Sequence, residues 1–436
     1  TSLSLPPFNY IIINFLTLGL FFIYIFQKKR SAKGQHSFAY GWFFGAGYFL
    51  TNLYWITISL TFDENFNFLI PIALILIPSF LALFYGLATY CFFLLKIKKP
   101  SSNLFLFSLL FGLVEFLRGN ILTGFPWNLI AYSFSENLEI LQIISFIGTY
   151  SFNILCISFF ASPAIFILRE NRKEIFVCIF FLLSPIALYM TGLSKIKSFQ
   201  LSSITNNDYI IRAVGTKIDL DRFYGNTDTA AVINELIEIS QPDLETKIIF
   251  LWPEGIIPNI NQKEIQEFEF LFDKKFNENH FLAIGINDFQ KDKNQNKFYN
   301  TFSIYDHKLN LITDYKKVKL VPFGEFLPFE KILSKIGLKS LTNNYQSCSG
   351  GESREIIVIS EKEFDIKILP LICYEIIYSG KIFNDSNFDY IINVSEDGWF
   401  GNSIGPYQHF VHSIFRAIES GKYLIRSANN GISATI

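Results

Sequence analysis

Six long apolar runs in the first 192 residues constrain this chain more than any other feature. They fall at roughly 11–26, 38–60, 69–95, 103–118, 141–168 and 175–192, each nearly continuous in Phe, Leu, Ile and Tyr. Most reach the length needed to cross a hydrocarbon core about 30 Å thick. Six such runs in succession leave no polar face with which a soluble protein would cover them, so a multi-pass α-helical membrane domain is predicted over residues 1–192.

The loops assign a direction. Lys28, Lys29, Arg30 and Lys33 follow the first run, Lys96, Lys98 and Lys99 the third, and Arg169, Arg172 and Lys173 the fifth. The alternate loops carry Asp63 and Glu64, or Glu136 and Glu139 without a nearby Lys or Arg. The positive-inside rule makes the basic loops cytoplasmic, so everything after residue 192 is expected outside the cytoplasm. Thr1 then starts on the outer side, which suggests an upstream helix or a removed signal peptide.

Residues 193–436 read differently, with Asp, Glu, Lys and Asn every few positions. Short β-branched runs at 209–214, 247–253, 281–287, 298–305, 356–360, 366–374, 390–395 and 423–429 predict strands, and 229–240, 262–278 and 406–421 predict helices. Strands this apolar, alternating with helices, point to a layered α/β domain with both sheet faces covered. The polar stretch 288–297 is expected as a hairpin or loop, and 330–350 as a long insertion, either a lid or surface packing. The chain ends at ISATI, inside an expected strand.

Composition removes several functional classes. A formal net charge of −1 gives no basic excess for nucleic acid. The five cysteines show no metal-ligand or dithiol spacing, and the close pair His409 and His412 lacks a Glu-x-x-His frame, so neither metal nor cofactor is expected. Cys91, Cys156 and Cys178 lie in apolar runs and read as small buried hydrophobes, which leaves Cys348 and Cys373.

Three segments combine apolar strands with residues a core would not choose: LWPEG (251–255), YKKVKLVPFGEFLP (315–328) and LPLICYE (369–375). They place Glu254, a lysine and Cys373 at strand ends, where functional groups of α/β domains converge. A carboxylate can accept a thiol proton, and an ammonium can lower the thiol pKa and face a developing oxyanion.

Taken in order, these segments resemble the carbon–nitrogen hydrolase (nitrilase) superfamily. Together with NVSEDGWFGNSIGPYQHF (393–410) and RAIESGKYLIRSANNGISA (416–434), they resemble the apolipoprotein N-acyltransferase family of that superfamily. The resemblance implies an α-β-β-α sandwich of the nitrilase type after the membrane domain. It makes Glu254 the general base, Lys317 the triad lysine and Cys373 the nucleophile, with Glu325 an additional carboxylate that holds Lys317. Tyr374 and Glu375 follow the nucleophile as supporting residues, and Trp127, Tyr224 and Trp399 are candidate substrate-positioning aromatics. His409 and Arg416 resemble structural positions of the family.

The implied function is transfer of an sn-1 acyl group from a membrane phospholipid, through a cysteine thioester, to the amine of a diacylglyceryl lipoprotein. The implied setting is the bacterial inner membrane, with the catalytic domain periplasmic and the enzyme acting as a monomer. A membrane-tethered amidase using water, and a non-catalytic lipid or lipoprotein scaffold, are the alternatives. The chain departs from the family pattern at Glu396, where Asn is common, at IIYSG after CYE, and at AVGTKIDLDRFYG, which lacks the expected Gln-Gly-Asn and Lys-Trp features.

Overall fold

A computed structural model describes residues 1–31, 35–202, 209–223, 227–291, 296–328, 331, 348–361, 364–382 and 387–436. The chain forms two compact units. The first comprises Thr1–Ile204, Ile377–Ile382 and Phe400–Gly421, and the second Thr205–Ile376, Phe383–Trp399 and Lys422–Ile436. Tyr224 and most of the predicted insertion at 330–350 lie outside the described residues.

Every predicted apolar run in the first unit contains a helix: α1 Ile12–Arg30, α2 Ser37–Leu53, α3 Ile70–Leu94, α4 Pro100–Asn120, α5 Ile144–Ala161 and α6 Ile175–Ser202. Among the described residues, five helical stretches are long and apolar enough to cross a membrane: Ile12–Arg30, Glu64–Leu94, Pro100–Asn120, Ile144–Ala161 and Arg172–Gln200. The α2 helix has 17 residues and gives way to 3-10 turns over Tyr54–Phe62. The sequence there, YWITI, is aromatic and β-branched, and such side chains lose χ1 freedom against the preceding turn of an α-helix.

The unit wears its apolar residues outside. Ile12, Phe43, Phe146 and Phe176 are 69–77% exposed, while Asn14, Asn52, Asn103 and Asn153 are fully buried. In lipid this arrangement leaves polar groups to be satisfied within the bundle. Small residues bring the helices together: a Cβ on Gly41 would lie 2.1 Å from the Tyr85 carbonyl oxygen, so only glycine admits this approach of α2 to α3.

The two ends of the bundle differ. Arg30 pairs with Glu170 at 3.2 Å, Lys29 donates to Asn103 at 2.7 Å, and the Ser101 hydroxyl donates to Glu174 at 2.9 Å, so the basic loops gather at one end. Segments from the second half of the sequence join at the other end of α4, where the Tyr378 hydroxyl donates to the Thr123 carbonyl at 3.0 Å.

In the second unit, two five-stranded sheets are laid face to face. One runs β1 (Ile210–Ala213), β2 (Ile248–Trp252), β3 (His280–Lys291), β4 (Asn296–Tyr305) and β5 (Leu311–Lys316), in that spatial order. The other runs β10 (Ala434–Thr435), β9 (Tyr423–Asn429), β8 (Tyr390–Glu396), β7 (Phe364–Ile372) and β6 (Ile357–Glu361). In each sheet a parallel core, β1–β2–β3 or β7–β8–β9, is flanked by antiparallel strands.

Ile249, Leu251, Phe281, Ile304, Ile359, Ile368, Ile392 and Val394 fill the space between the sheets in one buried cluster. A second cluster covers the outer face of the first sheet with Val232, Ile233, Leu236 and Ile237 of helix α7 (Thr229–Ser240). Parallel strands require long crossovers. Helix α7 supplies the one between β1 and β2, and α8 (Gly405–Ser420), which groups with the first unit, the one between β8 and β9. The two facing sheets are those of a nitrilase-type sandwich.

The predicted helix over 262–278 is a correction. The structure has a 3-10 turn, Glu264–Phe268, and a four-residue helix, Glu269–Phe272. Ile265, Phe272 and Phe276 are buried in the outer core, and these three anchors seat the segment without a continuous helix.

Candidate active site

Three segments deliver the site to the ends of strands. Glu254 lies just beyond β2, Lys317 follows β5, and Cys373 follows β7. Cys373 turns the chain sharply, with φ 48° in the left-handed region that L side chains other than Asn and Asp rarely adopt. Such backbone strain persists where the surroundings impose it and concentrates at functional sites. Here the clamp is Glu375, whose buried carboxylate accepts the N–H of Ile372 at 3.0 Å on one side. It also accepts the N–H groups of Val318 and Lys319, both at 3.1 Å, and so fixes the turn that carries Lys317. Tyr315 and Arg354 supply its remaining partners, at 2.8 and 2.9 Å.

The three side chains named from the sequence meet. Lys317 Nζ lies 3.0 Å from Glu254 Oε1 and 2.8 Å from Glu325 Oε1, and the Cys373 thiol hydrogen-bonds to the Glu254 carboxylate. Asn300 of β4 donates its amide to Glu254 Oε1 at 2.7 Å and to Glu325 Oε1 at 3.0 Å. Glu254 Oε2 accepts the backbone N–H of Glu396 at 2.9 Å. Glu325 closes its own turn by accepting the Val321 N–H at 2.7 Å. Both oxygens of Glu254 are therefore held.

Lys317 is 1% exposed, so its charge requires partners. Burial alone would lower its pKa, but Glu254 and Glu325 hold it well above the usual lysine value. Burial likewise pushes the Glu254 carboxyl up, and Lys317, with hydrogen bonds from Cys373 and Asn300, outweighs it, so the group sits below the ordinary carboxylate value. The Cys373 thiol is driven well above its usual value by burial and by the charge of Glu254, against the opposing pull of Lys317. The resting site at neutral pH is thus thiol, carboxylate and ammonium. Burial and the charge of Glu325 push the Cys348 thiol up in the same way, to about 12.

The other residues singled out from the sequence fall in several places. Tyr374 is buried beside Cys373, and Trp399 stacks on Phe223 with ring centroids 5.6 Å apart. Trp127 belongs to the first unit, where its indole N–H donates to Gln408 Oε1 at 2.9 Å and its ring stacks on His409. Asn300, Arg354 and Arg222 were not legible as site residues. Only Asn300 left a signal, an amide in the middle of the apolar run FYNTFSIY.

The fold and this cluster define a class, a nitrilase-type domain, and residues 223–436 match the carbon-nitrogen hydrolase family model. Residues 1–162 match a second model, the apolipoprotein N-acyltransferase N-terminal domain. Apolipoprotein N-acyltransferase of Brucella melitensis is 32% identical over 91% of this chain and 75% of its own length. The same-named proteins of Rhodopseudomonas palustris and Rickettsia prowazekii are 31% and 33% identical over 100% and 95% of this chain, and 83% and 81% of their own lengths. Among solved structures, a nitrilase-superfamily protein of Saccharomyces cerevisiae aligns with 52% of this chain and 81% of its own, at 14% identity and TM-score 0.33. The chain belongs to the apolipoprotein N-acyltransferase family and is a membrane acyltransferase.

Proposed function

We propose that this enzyme moves the sn-1 acyl chain of a membrane phospholipid to the N-terminal amine of an S-diacylglyceryl-cysteine lipoprotein, with Cys373 carrying the acyl group between them. The observation that carries the reading is the Cys373 thiol hydrogen-bonded to a Glu254 carboxylate that Lys317 keeps ionised.

As Cys373 sulfur attacks the ester carbonyl, its proton passes to Glu254. Lys317 and the backbone N–H following the nucleophile favour the oxyanion. When the C–O bond breaks, Glu254 returns the proton to the departing lysophospholipid, leaving an acyl thioester. The lipoprotein amine then attacks this thioester and gives a proton to Glu254, the C–S bond breaks, and the leaving sulfur recovers the proton from Glu254. The products are an amide and the starting thiol. Asn300 and Glu325 keep Glu254 and Lys317 in register through both halves.

The membrane in question is the bacterial inner membrane, with the catalytic unit on the periplasmic side. The basic loops gathered at one end of the helices support that orientation through the positive-inside rule. The test is a reconstituted reaction with acyl-labelled phospholipid and a diacylated lipopeptide. Label reaching the lipopeptide amine upholds the reading; label released to water as free fatty acid replaces it with a hydrolase.

A further inference from the structure

A second buried ion pair stands behind Glu254. Arg222 and Glu396 are 2% exposed and form a salt bridge. The Glu396 carboxylate also accepts the Asn429 amide at 2.7 Å and the Gly398 N–H at 2.8 Å, so its side chain is fixed. Its backbone N–H is the donor that holds Glu254 Oε2. Arg222 also bonds to the backbone next to Glu254, its Nε donating to the carbonyl of Gly255 at 3.4 Å. It also donates to the Asp219 carbonyl at 2.9 Å and lies 4.3 Å from the centroid of Phe223, the ring on which Trp399 stacks. The pair therefore ties together the residue after Glu254, the donor to Glu254 and the aromatic stack.

We propose that Arg222 and Glu396 act as a positioning pair, which orients the Glu254 carboxylate toward the Cys373 thiol and balances the charge behind it. The inference rests on the Cys373–Glu254 chemistry proposed above. Burial pushes the Glu396 carboxyl up while the Arg222 charge opposes that rise. The groups facing Glu254 are Lys317, Cys373 and Asn300 in direct contact, with Glu325 and Cys348 beyond them and Glu396 and Arg222 behind. Asp397, which acts on Cys373, is neutralised by Arg426 at 2.8 Å.

The signs of the two single substitutions are opposite. Arg222→Met leaves an unpaired anion behind Glu254 and raises the pKa of both Glu254 and the Cys373 thiol. Glu396→Gln leaves an unpaired cation and lowers both. The full chain in proteoliposomes is treated with iodoacetamide across pH, and alkylation is read on the Cys373 peptide by mass spectrometry, with kcat and KM for phospholipid measured alongside.

The alkylation profile is expected to move up by about one pH unit in Arg222→Met and down by about one in Glu396→Gln. It returns to the wild-type position in the double variant, and kcat falls about tenfold or more in each single variant with KM held within about twofold. Profiles that stay put, or that move the same way in both singles, overturn the inference. If Arg222→Met does not fold, Glu396→Gln alone decides by the direction of its shift. Wild-type enzyme that never acylates Cys373 from phospholipid would instead count against the transferase reading, while the alkylation shifts still judge the pair.

Discussion

The two units each bury an ion pair, and the pairs serve different ends. In the first unit, Glu115 and Arg118 of α4 are 2% exposed and paired with each other. The Tyr85 hydroxyl closes on Glu115 at 2.6 Å, and Arg118 donates to the Trp127 carbonyl at 2.8 Å. The remaining bonds of Arg118 end on the carbonyls of Phe125 and Trp127, in the loop that follows α4, so the pair shapes that backbone. In the second unit, Glu254 and Lys317 are also buried, but the groups bonded to the carboxylate include a thiol. Burial of charge marks both places; the thiol beside the carboxylate distinguishes the second.

The sharpest way to break this contrast is to remove that thiol. Cys373→Ala is expected to abolish acyl transfer, a loss of at least about 10⁴-fold, with the thermal melting of the detergent-solubilised protein unchanged. Unaltered transfer would erase the distinction between the pairs. Next in size, Glu254→Gln and Lys317→Met each lower kcat by about 10³-fold. Lys317→Met also leaves Glu254 beside Glu325 without the shared cation. The Glu254 pKa then rises, and the residual activity falls away at a higher pH than in the wild type as acid is added. A pH–rate profile checks the sign.

For the membrane pair the expected loss is stability. Arg118→Leu strands the Glu115 carboxylate and costs about 3–5 kcal/mol, read as a lowered melting temperature, while protein that remains folded still acylates Cys373. The smallest effect is at the aromatic stack. Trp399→Ala removes a ring pair worth about 0.5–1.5 kcal/mol and is expected to raise KM for the lipopeptide less than about tenfold, with kcat little changed.

Legibility in the sequence followed the same divide. Long apolar runs announce membrane helices because lipid demands them along the whole segment, and all six runs contain a helix. Buried parallel strands were equally plain, as in KIIFLWP and IKILPLICY. Strand β5 was not, because Leu311–Lys316 is an edge strand that is half exposed and carries Asp314 and Lys316, so it shows no apolar run. Glu254, Lys317 and Cys373 could be named as candidates because each follows a strand within a distinctive motif. Arg222 and Glu396 stand 174 positions apart. Nothing local in either segment reveals that they meet, since folding alone juxtaposes them. The departure at Glu396 was visible, and its buried partner Arg222 accounts for it.

The central claim is that Cys373 bears the acyl group, and mass spectrometry of the enzyme quenched soon after mixing with phospholipid, before any lipopeptide is added, tests it most directly. The account predicts one fatty acyl adduct on the Cys373 peptide, cleaved by neutral hydroxylamine as a thioester and lost when lipopeptide follows. An adduct on another residue, or turnover to acylated lipopeptide with Cys373 never modified, would contradict it.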